Sequence, residues 1–259
     1  MIEKFDKQLN RPNSLDNSII TMANTLARKQ TKWSVNETKL FLTAISQINS
    51  RDDHNWITLK KSDVIAKLQI DPRHTNTLRD LFKQVALKSW ISFGTDDSWN
   101  DGFLIIKSKS SRNTVSLQFS SDYIPLLEHL HSHFTWFYLD NIINFKSKHT
   151  IKLYQFLMSW HDSKYIITHK KVTINELKSI FELSESSYMV KRINSIGNKY
   201  MVFDIYNFEK KCLLKAIDEI NEDVTKSGLY IEYSKIKENG FVIGYDFAFS
   251  RVDINGNRI

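Results

Sequence analysis

The chain is 259 residues long and carries a net charge of +7, with 41% hydrophobic and 25% charged residues. That length allows one large domain or two ordinary ones, the apolar content is ample for a packed core, and the positive balance suits a polyanionic partner. Only 7 glycines and 3 prolines argue against disorder and against a glycine-rich phosphate loop, and the lone cysteine, Cys212, excludes an internal disulfide and a thiolate metal cluster.

The first 32 or so residues are polar, with a loop signal at Arg11-Pro12-Asn13 and a short strand or helix around Ile19 to Leu26. The N-terminus lacks the apolar core of a secretion signal and no apolar run reaches the length of a membrane span, so the expected location is the cytoplasm with no membrane partner. From Ser34 the pattern becomes helical. Ser34 and Glu37 stand at the capping-box spacing, and Leu40, Phe41, Ala44, Ile45 and Ile48 form an apolar stripe. Trp56 to Leu59 is strand-like, and Ser62 caps a short helix to Leu68. Pro72 marks a turn. Thr75 to Lys88 is the next helix, with Leu78, Leu81, Phe82 and Val85 inward. Strands are expected at Trp90–Thr95, Phe103–Lys107 and Val115–Phe119, and a helix from Asp122 to His131. Helix, strand, helix, turn, helix, hairpin is the order of a winged helix.

The same order recurs from His133. Phe134 to Leu139 is strand-like, Ser147 to His161 is an amphipathic helix, a strand lies within Ile166 to Val172, and Thr173 with Glu176 opens another helix. Next comes the segment Asn207 to Asn221. At the helical period, Cys212, Leu213, Ala216, Ile217 and Ile220 gather on one side. Asn207, Lys211, Leu214, Lys215 and Asp218 gather on the other, with Lys210 at the margin. Leu229–Lys237 and Phe241–Phe249 then form a hairpin through Glu238-Asn239-Gly240. A helix with a basic outer face followed by a hairpin is the recognition half of a winged helix: the helix enters the major groove and the hairpin meets the backbone beside it. The expected fold class is therefore α+β, with two tandem winged-helix domains at 1–132 and 133–259.

Candidate DNA contacts follow from this placement. In the second unit they are Asn207, Lys210, Lys211 and Lys215 on the helix, Lys235 and Lys237 on the wing, and Lys146 and Lys148 ahead of a helix start, where backbone amides also attract phosphate. In the first unit they are Arg73, His74, Asn76, Arg79 and Lys83, with Lys107, Lys109 and Arg112 at the wing. Lysines can hold phosphate or reach guanine, and Asn207 can pair with adenine. The competing reading for each is a solvated or self-associating surface. The spacer from Ser184 to Asn207 is long for a compact helix-turn-helix; its Lys191, Arg192 and Lys199 fit phosphate contacts and a solvated loop equally well.

Three stretches resemble a known family. Phe145-Lys-Ser-Lys-His-Thr-Ile-Lys-Leu-Tyr-Gln-Phe-Leu157 and Asn207-Phe-Glu-Lys-Lys-Cys-Leu213 with Ala216-Ile-Asp-Glu-Ile-Asn221 look like the signature of plasmid replication initiators with two winged helices. Trp33-Ser-Val-Asn-Glu-Thr-Lys-Leu-Phe-Leu-Thr-Ala-Ile-Ser-Gln-Ile48 is similar to that family's opening helix. The resemblance implies a protein that binds direct repeats (iterons) of double-stranded DNA at a plasmid origin with its second domain, 133–259, as the main DNA-reading unit, brings in host replication factors, and represses its own gene as a dimer. No cofactor and no enzymatic activity are expected, since no catalytic constellation stands out and the chain has no Walker loop. One runner-up is a transcriptional repressor of the same fold. Another is a rolling-circle nicking nuclease, prompted by His129-Leu130-His131 with Tyr138 or Tyr154 as nucleophile. That chemistry needs both histidines on one face of a strand, whereas their segment continues a helical stripe, on which residues two apart diverge.

Overall fold

The computed structural model describes residues 15–29, 31–48, 55–71, 75–95, 97–127 and 133–259. Two compact units divide the chain, Met1–Asn144 and Phe145–Ile259.

In the first unit, the segment with mixed strand and helix signals is both: β1 (Ile19–Ala23) runs into α1 (Asn24–Ala27). The start of α2 (Val35–Ile45) is the expected capping box. The Ser34 hydroxyl accepts the Glu37 amide at 3.4 Å, and the Glu37 carboxylate accepts the Ser34 amide at 2.7 Å. β2 (Trp56–Lys60) leads into α3 (Lys61–Leu68), which begins one residue ahead of the expected start. Lys60 occupies the cap position without a side-chain bond, and Ser62 instead donates to Asp63 at 2.8 Å. α4 (Thr75–Leu87) buries Leu78, Leu81, Phe82 and Val85, as its periodicity requires.

Four strands follow: β3 (Trp90–Thr95), β4 (Ser98–Phe103), β5 (Ile105–Ser110) and β6 (Thr114–Phe119). The expected strand Phe103–Lys107 is split at Leu104. This residue is fully buried and links two sheets: its amide donates to the Ser89 carbonyl at 3.0 Å, and its carbonyl accepts the Ser120 amide at 2.9 Å. β2, β6 and β5 form one sheet in that order, and β3–β4 is a separate hairpin. In place of the expected helix from Asp122 to His131, a short 3₁₀ turn spans Ser121–Leu126 and contains Pro125; residues 128–132 lie outside the described residues. β7 (Phe134–Tyr138) lies past the expected domain boundary at 132/133, yet it closes back on β1, with buried Ile20 opposite buried Phe137. α5 (Leu139–Ile143) completes the unit.

The second unit opens with α6 (Lys148–Met158), capped by Ser147, whose hydroxyl accepts the His149 amide at 3.2 Å. Ile151, Tyr154, Leu157 and Met158 are all buried in it. β8 (Thr168–Thr173) passes directly into α7 (Ile174–Ile180) through a second capping box, Thr173 with Glu176. The long spacer is a hairpin, β9 (Met189–Ile193) with β10 (Lys199–Phe203). α8 (205–221) follows, then α9 (Val224–Ser227), β11 (Leu229–Glu238) and β12 (Phe241–Arg251). The tight turn of the last hairpin places Asn239 at φ +49° and Gly240 at φ +82°. Such left-handed pairs are what a two-residue hairpin turn demands, and Asn-Gly supplies them at little cost. β12 sits between β11 and β8, so the strand ahead of α7 and the terminal hairpin share one sheet. Each unit thus has helix, strand, helix, recognition helix and hairpin, with its early strand paired to the last strand of its wing.

Two stability outcomes follow. Ile217, buried on the inner side of α8, should cost about 2–5 kcal/mol when changed to Ala, read by chemical denaturation. His161 is held down from 6.5 to about 4, first by burial and then by the Arg251 charge. The unfolded chain takes up that proton first, so stability should fall as pH drops from about 6.5 towards 4, and His161→Gln should flatten the decline in a pH series of denaturation curves.

Candidate DNA interface

The recognition helix of the second unit starts at Asp204, whose carboxylate accepts the Asn207 amide at 3.1 Å and the Asn207 side-chain amide at 2.5 Å. Asn207 is therefore half-buried and engaged in its own helix cap, the task its position in the chain favours. From there α8 runs as α-helix at Ile205–Phe208, one wider turn with i to i+5 spacing at Glu209–Leu213, and α-helix again at Leu214–Asn221. The reason lies in the spacing. Phe208, Cys212, Ala216 and Ile220 are all buried, four residues apart. That interval overshoots an ideal turn by about 40° each time, and the wide turn absorbs part of the drift, keeping the four in one inward row. Cys212, Leu213, Ala216, Ile217 and Ile220 all occupy this face, as their periodicity indicates.

On the other side Lys210, Lys211 and Lys215 are exposed. Lys210 sits 5.9 Å from the centre of the exposed Tyr206 ring. Asp218 and Glu222 are exposed further along, so the N-terminal half of the helix is cationic and the C-terminal half acidic.

Glu209 is the charge that reading the sequence for surface groups does not single out. It lies in the wide turn and is buried, and two groups from β11 meet it. Lys235 places its ammonium 2.7 Å from one carboxylate oxygen, and the Tyr233 hydroxyl donates to the other at 3.3 Å. Burial, with the Glu209 charge beside it, pushes the Tyr233 phenol above its usual range, so Tyr233 stays a donor. This triad ties the wing to the recognition helix. Lys235, a candidate phosphate contact, is paired with Glu209 while its side chain stays 40% exposed. Lys237 is exposed, next to the register shift between Ile236 and Lys237.

Ahead of α6, the Lys146 side chain is exposed and Lys148 is half-buried. The anion at this helix start is an internal one: Glu219 of α8 accepts the Lys146 amide and the Thr150 hydroxyl. The Lys146 amide and the Thr150 hydroxyl thus tie α8 to the start of α6.

In the first unit, Arg79 and Lys83 are exposed on α4. Arg73 and His74 lie outside the described residues, as does the side chain of Asn76. At the wing, Lys107 and Arg112 are exposed, and Lys109 stands 4.1 Å over the Trp56 ring. Of the residues weighed for a nuclease, His129 and His131 lie outside the described residues. Tyr154 is fully buried, its hydroxyl donates to the Ser227 carbonyl at 2.8 Å, and burial pushes its phenol well above the usual range. A phenol so placed reaches no phosphate.

Two winged helices in tandem, each with a basic outer helix face and a hairpin beside it, define a double winged-helix DNA-binding protein. Residues 19–158 match the family model for the first winged helix (WH1) of the initiator replication protein, and residues 173–249 match the one for the second (WH2) of the initiator Rep protein. The chain belongs to the plasmid-type initiator replication protein family. Among solved structures, the Pi initiator protein in complex with iteron DNA is similar over 92% of this chain and 98% of that one, with a TM-score of 0.70 at 18% identity. Domains 2 and 3 of RctB give a TM-score of 0.45 at 11% identity, over 95% of each chain. No curated protein matches the sequence.

The Glu209 triad has a measurable consequence. Lys235→Ala leaves a buried carboxylate short of its cation and should lower stability by about 1–3 kcal/mol, while Glu209→Gln with Lys235→Ala together should recover part of that deficit. Denaturant titration of the two variants checks both.

Proposed function

We propose that this protein initiates plasmid replication by binding double-stranded direct repeats at the origin through both winged helices, with α8 supplying most of the base contacts. The single observation that carries this reading is the row Lys210, Lys211 and Lys215, exposed on a helix whose opposite face is buried. The likeness to the Pi initiator, whose structure holds iteron DNA, supports the choice of direct repeats. Arg79 and Lys83 on α4 put cations at the equivalent place in the first unit. Lysine without arginine on α8 gives modest base contacts, so DNA shape contributes to specificity. The protein acts without catalysis of its own, in the cytoplasm, and delivers the origin to host replication factors.

Self-association belongs to the same proposal, with the dimer repressing the gene and the monomer starting replication. The supporting observation is a set of exposed aromatic rings on one face of the β3–β4 hairpin, with Ser92 and Asp101 between them. Trp90 and Phe103 face each other across the strands, Trp99 continues the row opposite Gly94, and all three aromatic rings are exposed. Exposed aromatic side chains grouped in this way mark contact sites. A repressor with no origin function would prefer an inverted repeat at a promoter, and footprinting on the DNA around the gene separates the two.

Changing Lys211 and Lys215 together to Ala should weaken binding to repeat DNA and make the salt dependence shallower, by about 0.9 in log–log slope for each phosphate that the variant no longer neutralises. Fluorescence anisotropy over a salt series gives the slope; a folded double variant with unchanged affinity and slope would reject the assignment.

A further inference from the structure

In a minimal winged helix a short turn joins the second helix to the recognition helix. Here a β-hairpin stands in that place. β9 and β10 pair with Arg192 opposite Tyr200 and Lys191 opposite Met201, and the tip turns over Asn194 to Gly197. Its base is locked to the start of α8. The Asp204 amide donates to the Tyr188 carbonyl at 2.7 Å, and the rings of Tyr188, Phe203 and Phe208 pack with centroids 5.3 to 6.2 Å apart. Phe208 is itself part of the buried row of α8. The hairpin therefore has a fixed root beside the cationic half of the recognition helix and an exposed outer part.

The outer part is positive. From Ser186 to Phe203 the chain carries Lys191, Arg192 and Lys199 and no carboxylate. All three cations are exposed, Lys191 and Lys199 on one face of the hairpin and Arg192 on the other, and among the described residues neither Lys191 nor Lys199 has an ion-pair partner. Arg192 shares a field with α8. The Asp204 carboxyl is held below its usual range chiefly by hydrogen bonds from Asn207, then by the charges of Arg192 and of Lys211. Arg192 of the hairpin and Lys211 of α8 thus both act on the charge of the same carboxylate.

We propose that the β9–β10 hairpin is a second wing, whose Lys191, Arg192 and Lys199 grip the DNA phosphate backbone beside the groove that α8 enters. The proposal rests on the reading of α8 as the recognition helix. Exposed cations with no acid among them complement phosphate, and their root in the helix cap carries them with α8 onto the same duplex. Tyr200, exposed opposite Arg192, adds a hydroxyl of the kind that bonds phosphate oxygens. This second wing adds affinity and register and leaves sequence choice to α8.

The test uses the full chain and a duplex that the wild-type protein selects from a random-sequence library. The variant with Lys191, Arg192 and Lys199 all changed to Ala should select the same sequence, bind it more weakly, and show a log–log salt slope shallower by about 2 to 3. An unchanged slope in the folded variant overturns the second wing and leaves the α8 reading intact; a wild-type protein that selects no sequence overturns both. A second measurement needs no loss of function. Cys212 is the only cysteine and is buried, so Ser195→Cys at the exposed tip offers one reactive thiol. An iron chelate tethered there should cut the backbone next to the selected sequence, and absence of cutting on a bound duplex would overturn the proposal, including the case in which the exposed Ile193, Ile196 and Met201 serve a protein partner instead.

Discussion

Burial of Phe208, Cys212, Ala216 and Ile220 along one side of α8 leaves Lys210, Lys211 and Lys215 facing outward. The remaining features of the second unit hold that orientation. Asp204 caps the helix, Glu219 anchors it to the start of α6, and Glu209 fastens it to the wing through Lys235 and Tyr233. Three carboxylates on or beside a basic helix would be a puzzle if they faced DNA. Each instead accepts hydrogen bonds from the protein, which leaves Asp218 and Glu222, further along the helix than the lysines, as its exposed acids.

The wide turn in α8 belongs to the same constraint. A strictly regular helix with inward residues every fourth position would swing its lysines round the axis from one end to the other. One i to i+5 turn at Glu209–Leu213 limits that swing and also brings Glu209 inside, where it must find Lys235. Wing and reading helix are thereby coupled, because a shift of the hairpin would strip a buried carboxylate of its counter-charge. A pair between a buried carboxylate and a partly exposed lysine contributes more to geometry than to net stability.

Much of the architecture was legible from residues alone. The capping boxes at Ser34 and Thr173, the inward stripes of α4 and α8, and the Asn-Gly turn of the last hairpin are local signals, each set by a few neighbouring residues. What escaped was set elsewhere. β4 reads Ser-Trp-Asn-Asp-Gly-Phe, poor in strand formers, and exists because β3 pairs with it. β9 and β10 are exposed over much of their length, so no alternation of apolar and polar residues marks them. β7 joins the first unit through a pairing with β1 more than a hundred residues earlier. In the site, the exposed lysines of α8 were apparent from helical spacing, whereas the roles of Glu209 and Lys235 depend on a contact between helix and wing that periodicity does not encode.

The central claim is that α8 reads base edges from the major groove with its exposed lysines. Guanine N7 methylation interference on a selected duplex tests this most directly, with wild-type protein compared with Lys211→Ala. The account predicts a guanine whose methylation blocks the wild-type protein and ceases to matter to the variant. An interference pattern identical in the two, with both proteins folded and bound, would contradict it.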